Sequence, residues 1–131
     1  MTPEARKDAY FPGQALIDAY GNGGFRFADM SHRGSLLILP SGIYAWPVGD
    51  MADLSPASFA PAFAERTEIE FVLLGTGTTQ RWPAPAVRQA FAANDLTLEC
   101  MDTGAAVRTY NVLLAESRTV AAALFAVDLP R

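Results

Sequence analysis

Apolar residues fall along this chain in short runs, separated by glycine, proline and asparagine. In the amino-terminal third the runs come in pairs. Residues 15–20 (ALIDAY) and 25–28 (FRFA) flank Gly21-Asn22-Gly23-Gly24. Asn-Gly readily takes the positive φ that a tight hairpin needs. Residues 35–39 (SLLIL) and 43–46 (IYAW) flank Pro40-Ser41-Gly42, a second hairpin signal. The pattern predicts antiparallel β-hairpins in this third. Before them, residues 1–13 are polar and close on Pro12-Gly13, which predicts a flexible arm ahead of a single domain over 14–131.

The second half alternates in kind. Ser55-Pro56 is a helix start, because the hydroxyl can cap and proline fits the first turn. Pro61 keeps that helix short or bent. Ile69 to Leu74 is apolar apart from Glu70 and reads as the buried strand. Pro85 to Ala93 reads as a helix, with Val87 and Phe91 on one face. Leu96 to Met101 reads as a strand that sets Leu96, Leu98 and Cys100 on one side. Asp102 or Thr103 caps a helix to about Glu116, whose stripe is Val107, Tyr110 and Leu114. Val120 to Val127 reads as a last strand, although its alanines leave a helix open. The result is β-α-β-α-β. Joined strands of this kind lie parallel through right-handed crossovers, so the expected fold is α/β with a central mixed β-sheet covered on both faces.

Composition narrows the function classes. A chain of 131 residues fits one domain. A net charge of −4 argues against nucleic acid, which wants a basic patch. Cys100 is the one cysteine and His32 the one histidine. That excludes an internal disulfide and leaves too few ligands for zinc. No cofactor is expected. No apolar run reaches the roughly 20 residues of a membrane span, and the first twenty residues lack a signal-peptide core. A cytoplasmic protein is expected.

Four places carry candidate chemistry. Gly75-Thr76-Gly77 follows the buried strand and resembles the start of a phosphate loop. Yet Gln80 stands where the dinucleotide pattern needs glycine, and no Gly-Lys-Ser/Thr follows. It is a tight turn or a small anion rim. If the crossover strands are adjacent, this loop meets the next helix start at the strands' carboxyl ends, where α/β folds place ligands. Gly75, Thr76, Gly77, Arg81, Thr103, Arg108 and Asn111 then line one cleft, or serve as caps and turns. Tyr44, Trp46 and Trp82 are candidate interaction anchors, with a core-edge role as the plainer reading. His32, in MSHRGS, is placed in a loop, and Cys100 reads as a small hydrophobe.

Three stretches together, GFRFADMSHRGSLLILPSGIYAW, VLLGTG and DTGAAVRTYNVLLAESRTVAAAL, resemble a family of small α/β proteins of uncharacterised biochemistry. This Mth938-like family includes the mitochondrial respiratory complex I assembly factor 3. The resemblance implies a three-layer single domain with the last strand antiparallel to the others. It marks Gly75, Thr76, Gly77, Thr103, Arg108, Thr109, Asn111, Glu116 and Arg118. Ser117 departs from the family, where glycine is frequent; a positive φ there costs serine about 1 kcal/mol. With no catalytic constellation found, the favoured reading is a non-catalytic interaction or assembly factor, linked to respiratory or membrane-complex biogenesis and bound to a protein partner. A small anion- or ligand-binding protein or enzyme is the alternative. Antiparallel edges in the first third would allow a homodimer.

Overall fold

The structure is a computed structural model and describes residues 10–128. Residues 1–9 of the expected arm lie outside the described residues. Tyr10 and Phe11 pair with Ile43.

Among the described residues, eight strands form two sheets. The small sheet is a meander of β1 (Ile17–Gly21), β2 (Gly24–Phe27) and β3 (Met30–Arg33). The large sheet contains β4 (Leu36–Leu39), β5 (Gly42–Ala45), β6 (Val72–Gly75), β7 (Leu98–Met101) and β8 (Ala121–Leu124), in the order β5-β4-β8-β6-β7. The expected first hairpin closes through Asn22 (φ 52°) and Gly23 (φ 77°), two consecutive left-handed residues, as a type I′ turn requires. The next turn repeats this geometry at Ala28 (φ 49°) and Asp29 (φ 61°). It pairs β2 with β3, so His32 lies on a strand and not in a loop. Alanine carries no signal for positive φ, which is why the pattern did not mark this turn. The β4–β5 turn, Pro40-Ser41, contains no positive φ. Glu65 holds it instead: its buried carboxylate accepts bonds from the Ser41 amide (2.9 Å) and hydroxyl.

The helices follow the predicted starts. After Ser55 the chain makes a 3-10 turn (Pro56–Phe59), then α1 (Ala60–Ala64) with Pro61 in its first turn. The helix is short, and Pro61 fits its first turn, where no intrahelical amide bond is lost. α2 (Pro85–Ala93) joins β6 to β7, and α3 (Thr103–Ala115) joins β7 to β8. Each ends with its last carbonyls tied by the next two amides, around Asp95 (φ 53°) and Ser117 (φ 62°).

β8 pairs parallel with β6 and antiparallel with β4. The last strand therefore runs with β6 and β7, not against them. The physical reason is the crossover: α3 spans the sheet and returns the chain to its starting end. All four residues of β8 are buried, because it is central and covered on both faces. Ala121 and Ala123 face Trp46, Phe59 and Phe91; Ala122 and Leu124 face Phe27, Val107 and Tyr110. These are two cores in a three-layer α/β domain. α1 and α2 cover one face, and α3 with the small sheet covers the other.

Candidate functional site

β6, β7 and β8 are parallel, so Gly75, Met101 and Leu124 end together at one end of the sheet. The loops that leave them are tied together by two threonines. Thr103, fully buried, donates its hydroxyl to the Phe125 carbonyl (2.7 Å) and accepts the Gly77 amide (2.9 Å). Its own amide donates to the Gly77 carbonyl (2.8 Å). The Thr76 amide donates to Met101 O (2.9 Å), and its hydroxyl donates to Thr79 O (2.7 Å) while accepting the Arg81 amide (3.0 Å). Gly75 makes this approach possible. A Cβ there would lie 3.1 Å from both the Cα and the Oγ1 of Thr103.

GTG is thus a lock between three strand ends. An anion cradle needs outward amides, whereas those of Thr76 and Gly77 are both bonded inside the protein. The loop separates two shallow clefts. The first, about 220 Å³, is lined by Tyr20, Gly77, Thr78, Asp102, Gly104, Arg108 and Val127. The second, about 270 Å³, takes Thr76, Gly77 and Arg81 along with Asp50 and Asp128. Arg81 and Arg108 therefore belong to different clefts. Arg108 is exposed, with no hydrogen bond or ion pair to another described residue. Asn111 is outside both clefts: its amide pairs with the backbone of Ile17 through two bonds of 2.9 Å. That pairing fastens β1 to α3 as another strand would.

No local pattern marks Tyr20 or Gly104 for this place. The Tyr20 hydroxyl is buried and lacks a hydrogen-bond partner among the described residues. It sits where a Gly104 Cβ would approach within 2.5 Å. Both residues come from elements distant in sequence, and only the small sheet's docking brings them together. Asp102 lines the first cleft and caps α3 by accepting the Ala105 amide (2.8 Å). Of the other family-marked residues, Thr109 reaches the Met101 sulfur (3.6 Å), and Glu116 is exposed. Arg118 forms a surface ion pair with Glu70 (3.1 Å), whose bond to Arg118 holds the Glu70 carboxyl below its usual range.

The aromatic candidates separate into two groups. Trp46 and Tyr44 are each only 5% exposed. Trp46 packs on Phe59 and Phe125 and donates its indole N–H to Ser58 O (2.9 Å); Tyr44 hydrogen-bonds Ser41. They form the floor of a groove of about 510 Å³, also lined by His32, Arg33, Val48 and Pro61. Trp82 is 68% exposed. It stands over an apolar depression of about 250 Å³ formed by Arg88, Phe91, Ala92, Leu96, Leu98 and Cys100. Burial, with a smaller push from Glu99, raises the Cys100 thiol to about 11, so at neutral pH it is a protonated, apolar wall of that depression.

Comparison with known proteins agrees with this fold. A family model described as a protein of unknown function (DUF498/DUF598) matches residues 17–125. The mouse NADH dehydrogenase [ubiquinone] 1 alpha subcomplex assembly factor 3 is 33% identical over 87% of this chain and 62% of its own length. The chain thus spans about three-fifths of the length of the curated assembly factors it matches. A Rhodobacter capsulatus uncharacterised protein is 34% identical over 92% of this chain and 91% of its own. A solved Bartonella henselae protein, described as an outer membrane protein, is 50% identical over 91% of this chain and 100% of its own, with a TM-score of 0.85. The lock of Gly75, Thr76, Gly77 and Thr103 stands on a three-layer domain of the Mth938-like kind, and this chain belongs to the DUF498/DUF598 family.

Proposed function

We propose that this protein is a non-catalytic interaction factor in the assembly of a respiratory membrane complex, acting from the cytoplasm through a protein partner and not through nucleic acid. One observation carries the reading: Trp82 stands 68% exposed over an apolar depression. Exposed aromatics over apolar depressions are anchors for protein partners. The named role of the mouse relative supplies the kind of partner. No helix among the described residues is long and apolar enough to cross a membrane.

Affinity capture tests it. Wild type and Trp82→Ala are each presented to detergent-solubilised bacterial membranes, and NADH dehydrogenase subunits are quantified. Recovery by wild type and its loss in the variant is the expected result. Absence of those subunits from both captures overturns the assembly reading. Equal recovery overturns the Trp82 surface alone.

A weaker second reading places a small anion beside Arg108 and the unpartnered Tyr20 hydroxyl. Phosphate and simple carboxylates would then raise the melting temperature of wild type but not of Arg108→Ala. No shift with any of them removes it.

A further inference from the structure

The large sheet has two edges, and they differ. β5 is covered by the Tyr10–Phe11 segment. In the small sheet, β1 is held to α3 by Asn111. β7 has no strand on its outer side among the described residues. Its backbone directions follow from its bonds to β6. Thr97 O accepts the Val72 amide and Met101 O accepts the Thr76 amide, both at 2.9 Å. Alternation then turns the N–H and C=O groups of Leu98 and Cys100 outward. The Gln80 amide reaches Cys100 O at 3.4 Å, a weak cap.

Exposed edges are ordinarily blunted by lysine, proline, a bulge or an inward charge. β7 has none of these. Its register with β6 is continuous from Val72↔Leu98 to Gly75↔Met101, and its one charge, Glu99, lies on the opposite face from Leu98 and Cys100. The face that carries Leu98 and Cys100 runs directly into Leu96, Phe91 and exposed Trp82.

We propose that β7 is a self-association edge, on which β7 of a second copy adds antiparallel across a two-fold axis. Self-complementarity selects this occupant. An axis perpendicular to the sheet keeps like faces together, so outward-facing residues pair only with outward-facing residues. Leu98 against Cys100 would set the two Glu99 side chains opposite each other at the closest cross-strand approach, which like charges oppose. Cys100 against Cys100 would set Leu98 against the Asp102 cap. Leu98 against Leu98 sets Leu96 against Cys100 and Thr97 against Glu99. That register exchanges two backbone hydrogen bonds at Leu98 and joins the apolar faces of both copies, with Trp82 flanking the seam. This inference concerns the chain's contact with itself and stands independently of the respiratory assignment.

Sedimentation velocity over micromolar to submillimolar protein tests it. Wild type is expected to reach twice the 14.1 kDa chain mass. Leu98→Pro removes only an outward N–H, which edge strands tolerate, and is expected to stay monomeric. In a Leu98→Cys, Cys100→Ser chain the paired Cα atoms would lie about 5.5 Å apart, within disulfide reach. Mild oxidation should therefore give a covalent dimer. A wild type that is monomeric throughout overturns the proposal, and so does a folded Leu98→Pro that dimerises. If Leu98→Pro does not fold, the cysteine variant decides, and failure to cross-link rejects the register and the edge together.

Discussion

Replacing Thr103 with valine tests the lock at the strand ends most directly. Valine matches threonine in shape and in branching at Cβ but has no hydroxyl. In the native protein that hydroxyl donates to Phe125 O and accepts from Gly77 N, at 2.7 and 2.9 Å, and the residue is fully buried. Thr103→Val leaves one acceptor and one donor unanswered. Each such group costs about 1–3 kcal/mol when buried. The Gly77 amide is near the surface and recovers part of its loss from water, so the expected total is about 2–4 kcal/mol. Thr103→Ser keeps both bonds and loses one buried methyl, for about 1 kcal/mol. Urea denaturation followed by circular dichroism reads both, as a lower midpoint at unchanged slope. The order wild type, serine, valine is the prediction. A valine variant as stable as the serine variant would refute the claim that the two hydrogen bonds, and not the packing, hold the loops together.

Ser117→Gly should stabilise the protein by about 0.5–1 kcal/mol, the left-handed penalty of serine less the added chain entropy of glycine. The expected gain is about 2–5 °C in the melting temperature, and Ser117→Ala should show none of it. Asp95→Gly should gain less from its φ of 53°, because aspartate tolerates that region better. Tyr20→Phe should be neutral or stabilising by up to about 1 kcal/mol, since it removes a buried hydroxyl without a partner; a clear loss of stability in a melting scan would show that the hydroxyl is bonded. Cys100 titrates at about 11 instead of its ordinary 9.0. The folded state holds this proton more tightly than the unfolded chain. Its contribution to stability is therefore complete below pH 9 and declines as pH rises through 11. Iodoacetamide should accordingly modify the native thiol slowly at neutral pH and fast in urea; equal rates would contradict the burial.

Local chemistry determined most of the elements. Asn22-Gly23 specified its hairpin, Ser55-Pro56 and Pro85 opened helices, and the apolar run before Gly75 marked a buried strand. Each signal lies within a few residues of its effect. The Ala28-Asp29 turn has no such signal, so β3 and the position of His32 were not legible. Sequence pattern also brought the Gly75 loop and the Thr103 helix start to one end of the sheet, because two crossover strands must finish there. What those residues do there depended on partners far along the chain. Thr103 needs Phe125, Asn111 needs Ile17, Trp46 needs Ser58 and Phe125, and Tyr20 meets Gly104. Residue type sets what a side chain can bond to, whereas the tertiary fold decides whether that bond is already made. Trp46 and Trp82 each precede a proline and look alike in sequence. Tertiary position alone places the first in the core and leaves the second on the surface beside the open edge of β7.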